Sequence, residues 1–250
     1  MRGNKLKEEY TKDIEKIAEI LHNSKHAVFF GGAGVSTDSG IPDFRGTGGL
    51  YNSGTQGNEY FLSRECLTNE PERFYEFYRK NMLFPDAMPN DTHNALAELE
   101  KQEIIKSVIT QNIDGLHQTA GSKRVIELHG TVSRLYCSRC RKVYGKEVLS
   151  GASGIPVCES CAGIIRPDVI LYGERLDGFS FADAENEIRM ADVLIAGGSS
   201  LTVNPAASLV GAFEGKHLII VNYSPTPYDT KAEFVIRDSI SEFFRAMLKK

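Results

Sequence analysis

Four cysteines carry the clearest chemical signal. Cys137-x-x-Cys140 is followed, after 17 residues, by Cys158-x-x-Cys161. Each CxxC turn can bring two thiolates to one side of a knuckle, and two knuckles complete a tetrahedron around Zn²⁺. Arg139, Arg141 and Lys142 would offset thiolate charge, and Gly145, Gly151, Gly154 and Pro156 suit tight turns. Two disulfides or buried free thiols are the competing reading. An odd total of five cysteines, with four inside one short stretch, does not resemble a secreted disulfide framework. Four protein ligands leave no open coordination position, so the expectation is one structural zinc held by Cys137, Cys140, Cys158 and Cys161. Cys66 lies outside the cluster and reads as a small apolar packing residue.

A second set of residues suits nucleotide chemistry. Gly32-x-Gly34-x-x-Thr37 departs from GxGxxG at its third glycine and alone also fits a plain tight turn. It continues as Ser36-Thr-Asp-Ser-Gly40-Ile-Pro-Asp43-Phe44-Arg45-Gly46. Small residues there can bring backbone N–H groups to a pyrophosphate, and Arg45 could add a charge-assisted contact. No acidic residue about 20 positions on ends a second strand, so the dehydrogenase fingerprint is incomplete.

Those residues need elements to hold them. Ile14, Ile17, Ala18 and Leu21 fall on one face of a helix over Asp13–His22. Ala27–Phe30, Ile104–Ile109, Val125–Leu128, Val193–Ala196 and Leu218–Val221 are short, Ile/Val-rich and not alternating, as strands of a parallel sheet covered on both faces are. Helical patterns occupy Thr92–Lys101, Phe181–Met190, Pro205–Phe213 and about Ser239–Leu248. The glycine loop reads as strand, phosphate loop, helix. The alternation predicts an α/β fold, a Rossmann-like doubly wound parallel sheet. Two stretches break the rhythm: a glycine-rich loop and aromatic helix over 46–89, and the four-cysteine module over 131–165. Both are expected to form a smaller lobe, beside a large domain built from 1–45, 90–130 and 166–250.

In open α/β sheets ligands sit beyond the carboxyl ends of the strands. The predicted strands deliver to that edge the glycine loop, Gln111-Asn112-Ile113-Asp114, His129, Gly198-Ser199-Ser200 and Asn222. An imidazole there suits general acid–base work, although a lone histidine at a strand end is more often bland. Convergence of these groups on one edge is what marks a site.

Composition bounds the function. The chain has 250 residues, with a formal net charge of −4, which argues against a general binder of nucleic-acid backbones. There is no internal repeat. The polar N-terminus lacks the apolar core of a signal peptide, and no apolar run reaches membrane-spanning length. The expected compartment is the cytoplasm. Rival readings are an NAD(P)-dependent oxidoreductase with a zinc insert, which would transfer hydride, and a non-enzymatic zinc-ribbon module.

Gly32-Ala-Gly-Val-Ser36, Ile41-Pro-Asp-Phe-Arg-Gly46, Thr110-Gln-Asn-Ile-Asp114, His129-Gly130, the CxxC pair and Tyr172-Gly-Glu174, in order over nearly the whole chain, resemble the sirtuins, NAD-dependent protein-lysine deacylases, and most closely the bacterial members. The resemblance implies that NAD is consumed as a co-substrate. An acyl-lysine oxygen attacks C1′ of the nicotinamide ribose, nicotinamide leaves, and an alkylamidate forms; the products are nicotinamide, O-acetyl-ADP-ribose and free lysine. His129 matches the general base acting on a ribose hydroxyl. Asp114 matches the residue that binds the nicotinamide carboxamide, and Asn112 and Gln111 match ribose-orienting positions. Gly32, Ala33, Gly34, Ser36, Thr37, Asp43, Phe44 and Arg45 match the cofactor loop, with Phe44 shielding C1′ from water. Gly198, Ser199, Ser200, Asn222, Asp238 and Ser239 match phosphate, ribose and adenine contacts. Val169, Ile170, Tyr172, Gly173, Glu174, Val203 and Asn204 match two segments that clamp an acetyl-lysine peptide as an added strand. A monomer is implied, as are mono-ADP-ribosyl transfer and longer-chain deacylation as alternatives within the family. Desuccinylating members carry Tyr-x-x-Arg on the aromatic helix. Here Tyr78-x-x-Asn81 lacks the cation, which predicts a preference for neutral acyl groups.

Overall fold

The computed structural model describes residues 7–44, 49, 58–149 and 154–249. Arg45, Gly46 and most of the glycine-rich loop lie outside the described residues. In chain order the elements are α1 (Thr11–Asn23), β1 (Ala27–Gly31), α2 (Asn58–Phe61), α3 (Arg64–Asn69), α4 (Pro71–Asn81), α5 (Asp91–Lys101), β2 (Ile105–Thr110), α6 (Leu116–Ala120), β3 (Val125–Glu127), β4 (Gly130–Cys137), β5 (Val143–Gly145), β6 (Ile165–Val169), α7 (Gly178–Met190), β7 (Val193–Gly197), α8 (Ser208–Gly211), β8 (His217–Val221), β9 (Phe234–Ile236) and α9 (Ile240–Met247).

Six parallel strands form one sheet in the order β3-β2-β1-β7-β8-β9. Its two faces are both covered, which explains the uninterrupted apolar strands. On one face Phe29, Ile195 and Ile219 pack against Ile14 and Ile17 of α1, Leu96 of α5 and Phe243 and Phe244 of α9. On the other, Val28, Phe30, Leu194 and Ile220 pack against Ala184 and Ile188 of α7 and Leu209 and Val210 of α8. The doubly wound sheet expected from the sequence is present, and the strand order reverses between β1 and β7, where ligands bind in such sheets.

A second, three-stranded antiparallel sheet, β5-β4-β6, carries the cysteine module. It shares an apolar cluster with α3 and α4, including Phe74, Tyr75, Tyr78, Leu135 and Ile165. Cys66 is fully buried in this cluster, and burial pushes its thiol up, as suits a packing residue.

Two local expectations fail. The glycine loop is followed by two 3₁₀ turns, Ala33–Val35 and Thr37–Ser39, rather than a helix. Gly34 N–H is drawn to Gly198 O at 2.8 Å, and Ser36 Oγ to Asp114, so the loop winds with i→i+3 bonds. In the Pro205–Phe213 stretch only Ser208–Gly211 is α-helical. Ser208 N–H and its hydroxyl both donate to Pro205 O, at 3.1 and 2.7 Å, which takes that carbonyl out of an α-helical ladder.

Candidate active site

The C-terminal ends of β1 and β7 meet through glycines. A Cβ on Gly34 would lie 2.9 Å from Gly198 Cα, and one on Gly32 would lie 2.8 Å from Ser199 Cβ. Gly198 itself has φ +59°, and its Cβ would lie 2.6 Å from Val35 N. The glycine spacing therefore serves the close approach of two loops. They open onto a cleft of about 800 Å³ between the parallel sheet and the smaller lobe.

Every candidate catalytic, cofactor-binding and peptide-binding residue within the described set lines that one cleft. Gly32, Ala33, Gly34, Ser36, Thr37, Asp43 and Phe44 come from the loop after β1. Gln111, Asn112, Ile113 and Asp114 follow β2, and His129 follows β3. Gly198, Ser199 and Ser200 follow β7, Asn222 follows β8, and Asp238 and Ser239 lie beyond β9. Val169, Ile170, Tyr172, Gly173 and Glu174 from the segment at the end of β6, and Val203 and Asn204 from the segment before α8, line it too. Leu62, Met82 and Phe84 add an apolar wall that sequence reasoning missed, because nothing before folding ties them to the sheet edge.

Hydrogen bonds fix the polar groups. Ser36 Oγ donates to Asp114 Oδ2 at 2.7 Å and accepts from Asn112 Nδ2 at 3.0 Å. Leu116 N–H donates to Asp114 Oδ1 at 2.9 Å. Gln111 Nε2 donates to Ser199 Oγ at 2.9 Å, joining the β2 and β7 loops. Lys7 N–H donates to Asp238 Oδ2 at 3.0 Å, and Ser239 Oγ caps α9 by accepting from Glu242 N–H.

His129 Nδ1 lies 2.9 Å from Gln111 O. A carbonyl only accepts, so Nδ1 carries the proton and Nε2 keeps its lone pair. Burial pushes the imidazole pKa down, and the bond to Gln111 O pulls partly the other way. The result is a neutral imidazole at physiological pH, with one basic nitrogen.

The profile of the Sir2 family matches residues 32–205. The chain belongs to the Sir2 family. It is 48% identical to an NAD-dependent protein deacetylase of Clostridium perfringens over 233 residues, 92% of this chain and 96% of that one. It is 46% identical to an NAD-dependent protein deacetylase of Staphylococcus aureus, covering 94% of this chain and 98% of the relative. Among solved structures, a Sir2 complex with a p53 peptide and NAD⁺ superposes with a TM-score of 0.85 at 39% identity, covering 94% of this chain and 97% of the other. A Sir2 enzyme bound to a propionylated peptide gives 0.85 at 38%, with the same coverage.

In this Sir2-family chain the segment after β6 is anchored from behind. Ile170 N–H donates to His129 O, and Tyr172 N–H to Leu62 O. Arg166 forms a two-pronged pair with Glu174, at 2.6 and 2.9 Å, and also donates to Val169 O. Glu174 accepts from Leu171 N–H as well. Burial alone would raise Glu174; the Arg166 guanidinium and the Leu171 amide more than reverse that and hold it below the usual carboxylate range. The Glu174 carboxylate thus braces the strand that borders the cleft.

The four cysteines of the Sir2-family chain converge, with all Sγ atoms within 4.8 Å of one another. Cys137 and Cys161 Sγ are 3.4 Å apart, and Cys140 and Cys158 Sγ 3.6 Å apart. A tetrahedron with Zn–S bonds of about 2.3 Å has edges of about 3.8 Å, whereas a disulfide requires about 2.05 Å. The thiols therefore fit a zinc ion. Arg139 and Cys140 N–H groups point at Cys137 Sγ from 3.4 and 3.5 Å, and Tyr144 Oη donates to Cys158 Sγ at 3.1 Å, as donors to thiolate ligands do. A Cβ on Gly163 would sit 2.9 Å from Cys137 Sγ, so the cradle needs glycine there. None of the four thiols lines the cleft.

Proposed function

We infer that this chain is an NAD-dependent protein-lysine deacetylase that releases nicotinamide, O-acetyl-ADP-ribose and free lysine. The observation that carries this is His129: a neutral imidazole, its tautomer fixed by Gln111 O, in the same cleft as Asn112, Asp114 and the glycine loops. The co-substrate supplies an electrophilic ribose carbon with nicotinamide as leaving group. His129 Nε2 takes a proton from a ribose hydroxyl, a role worth about 10²–10⁴-fold in rate. Asp114 accepts from the nicotinamide carboxamide N–H, and Asn112 and Gln111 orient the ribose. Phe44, packed against the apolar cluster of the smaller lobe, excludes water from the reacting carbon. Ser199, Ser200, Asn222, Asp238 and Ser239 hold the phosphates, second ribose and adenine.

The peptide lies as an extended strand between 169–174 and 203–204, read mainly through its backbone. The acyl group is neutral. Among the described residues, none of those lining the cleft is a lysine or arginine, while Asp38, Asp43, Asp114, Glu174 and Asp238 are acidic. A kcat/KM higher on succinyl-lysine than on acetyl-lysine peptide would overturn this preference. The division into a large domain of 1–45, 90–130 and 166–250 and a small one of 46–89 and 131–165 is part of the same proposal. The enzyme acts as a monomer in the cytoplasm, a compartment that five unpaired cysteines support. No helix among the described residues is long and apolar enough to cross a membrane. Mass spectrometry of products from NAD and an acetyl-lysine peptide tests the reading. Formation of reduced nicotinamide dinucleotide in place of free nicotinamide would favour hydride transfer instead.

A further inference from the structure

Behind the cleft, two buried histidines face each other with most of their nitrogens unpaired. His93 on α5 and His117 on α6 are essentially inaccessible, with ring centroids 4.7 Å apart in an edge-on arrangement. His93 Nε2, both ring nitrogens of His117 and Ser122 Oγ have no hydrogen-bond partner. Ser122 belongs to the same cluster, since its N–H donates to His117 O at 3.1 Å. Buried polar atoms are almost always satisfied, and a group of them marks enclosed water. Asn90 N–H donates to His93 Nδ1 at 3.2 Å, so the His93 proton sits on Nε2, pointing inward. Burial pushes His93 down to about 4 and His117 to about 3, so both are neutral donors and acceptors.

This cluster is tied to the cofactor loop through Asn90. The Asn90 side chain donates to Val35 O at 2.7 Å and to Ser39 Oγ at 3.0 Å. Ser36 in that loop donates to Asp114, and Asp114 accepts from Leu116 N–H at the start of α6, one residue before His117. The loop and the Asp114 carboxylate are thus joined directly through Ser36, while a second route runs from the loop through Asn90 and His93 as far as an edge-on ring contact with His117, the residue after Leu116. We propose that His93 is a positioning residue for the nicotinamide end of the cleft: its Nε2–H, with His117 and water enclosed between α5 and α6, holds Asp114 in register with the cofactor loop. The proposal rests on the reading of Asp114 as the carboxamide-binding residue.

Two variants separate this from simple helix capping. An asparagine at 93 places its amide where Nδ1 sits and keeps the cap but loses the inner donor. A glutamine reaches the position of Nε2 and keeps the inner donor. Inhibition by added nicotinamide, with KM for NAD and for peptide, is the readout. His93→Asn should raise the nicotinamide IC50 about fivefold or more, the loss of one net hydrogen bond, with peptide KM within about twofold. His93→Gln should stay near wild type. The reverse order, Asn like wild type and Gln impaired, would overturn the proposal, as would two variants that both match wild type. Asp114→Asn is run beside them. If it leaves nicotinamide inhibition intact, the Asp114 reading fails and this proposal with it; if it abolishes inhibition while both His93 variants match wild type, only the proposal fails. Should the variants not fold, ¹⁵N-histidine NMR of the wild type decides: His93 must be the Nε2–H tautomer and shift on nicotinamide addition, and an unmoved His93 signal overturns the proposal.

Discussion

Arg166→Met is the substitution whose cost can be worked most fully. Arg166 and Glu174 side chains are only 13% and 17% exposed, and the guanidinium supplies two of the three donors to that carboxylate. Removing one partner of a buried pair costs about 3–5 kcal/mol, because the other charge stays buried without compensation. Leu171 N–H remains as a donor and Glu174 is not fully enclosed, so we expect the low end, about 3 kcal/mol. That is a large share of a typical stability of about 5–15 kcal/mol. Replacing both members, Arg166→Met with Glu174→Met, removes the orphan charge and should be clearly less destabilising than Arg166→Met alone. The assay is urea unfolding of wild type, Arg166→Met, Glu174→Met and the double variant, with KM for an acetyl-lysine peptide. The peptide KM should rise in Arg166→Met, because the pair braces 169–174, while KM for NAD should change little. The pH dependence follows from the lowered Glu174 pKa. Its contribution is fully present above the unfolded value of about 4.3 and is lost as pH falls through the lower folded value. The gap between wild type and Arg166→Met should therefore narrow in acid. A single variant within about 0.5 kcal/mol of wild type, or a double variant whose loss equals the sum of the singles, would refute the reasoning.

Cys137→Ser should lose zinc by elemental analysis and destabilise the smaller lobe; a folded, fully active protein without zinc would contradict the four-thiol site. The acid limb of kcat/KM should lie below the ordinary histidine value of about 6.5, because burial lowers His129 and the neutral imidazole is the working form; a limb displaced above that value would count against it. Gly130 has φ +77°, and a Cβ there would lie 2.1 Å from Asp168 O on β6, whose backbone is held by pairing with β4. Gly130→Ala should lower Tm by about 5 °C or more and displace the adjacent His129, cutting kcat; wild-type values for both would show that the close approach is not needed.

Much of the candidate site was legible because doubly wound sheets place chemistry at strand ends. Once Ala27–Phe30, Val125–Leu128 and Val193–Ala196 were read as buried strands, Gly32, His129 and Ser199 had to share an edge. The cysteine spacing was equally direct, since two thiolate knuckles have few other uses. The three-stranded sheet was not legible. Its β4 strand carries Arg134 and a register shift between Thr131 and Leu135, and β6 contains Pro167, so neither presents a clean alternation. Local propensity also misled at Pro205–Phe213, where apolar residues recur at helical spacing but Ser208 diverts the Pro205 carbonyl. Tyr172-Gly-Glu174 could be seen as a motif, yet the partner of Glu174 is Arg166, inside a strand that sequence reasoning did not detect. The His93–His117 contact joins two helices 24 positions apart, and each histidine taken alone reads as an ordinary core residue.

The central claim is that His129 is the base of an NAD-consuming deacetylation. The most direct measurement follows wild type and His129→Ala with NAD and an acetyl-lysine peptide, quantifying products by mass spectrometry and the fold by circular dichroism. The account predicts equal yields of nicotinamide, O-acetyl-ADP-ribose and free lysine from wild type, and turnover reduced by about 10²-fold or more in a variant that remains folded. Near wild-type turnover in folded His129→Ala would contradict it.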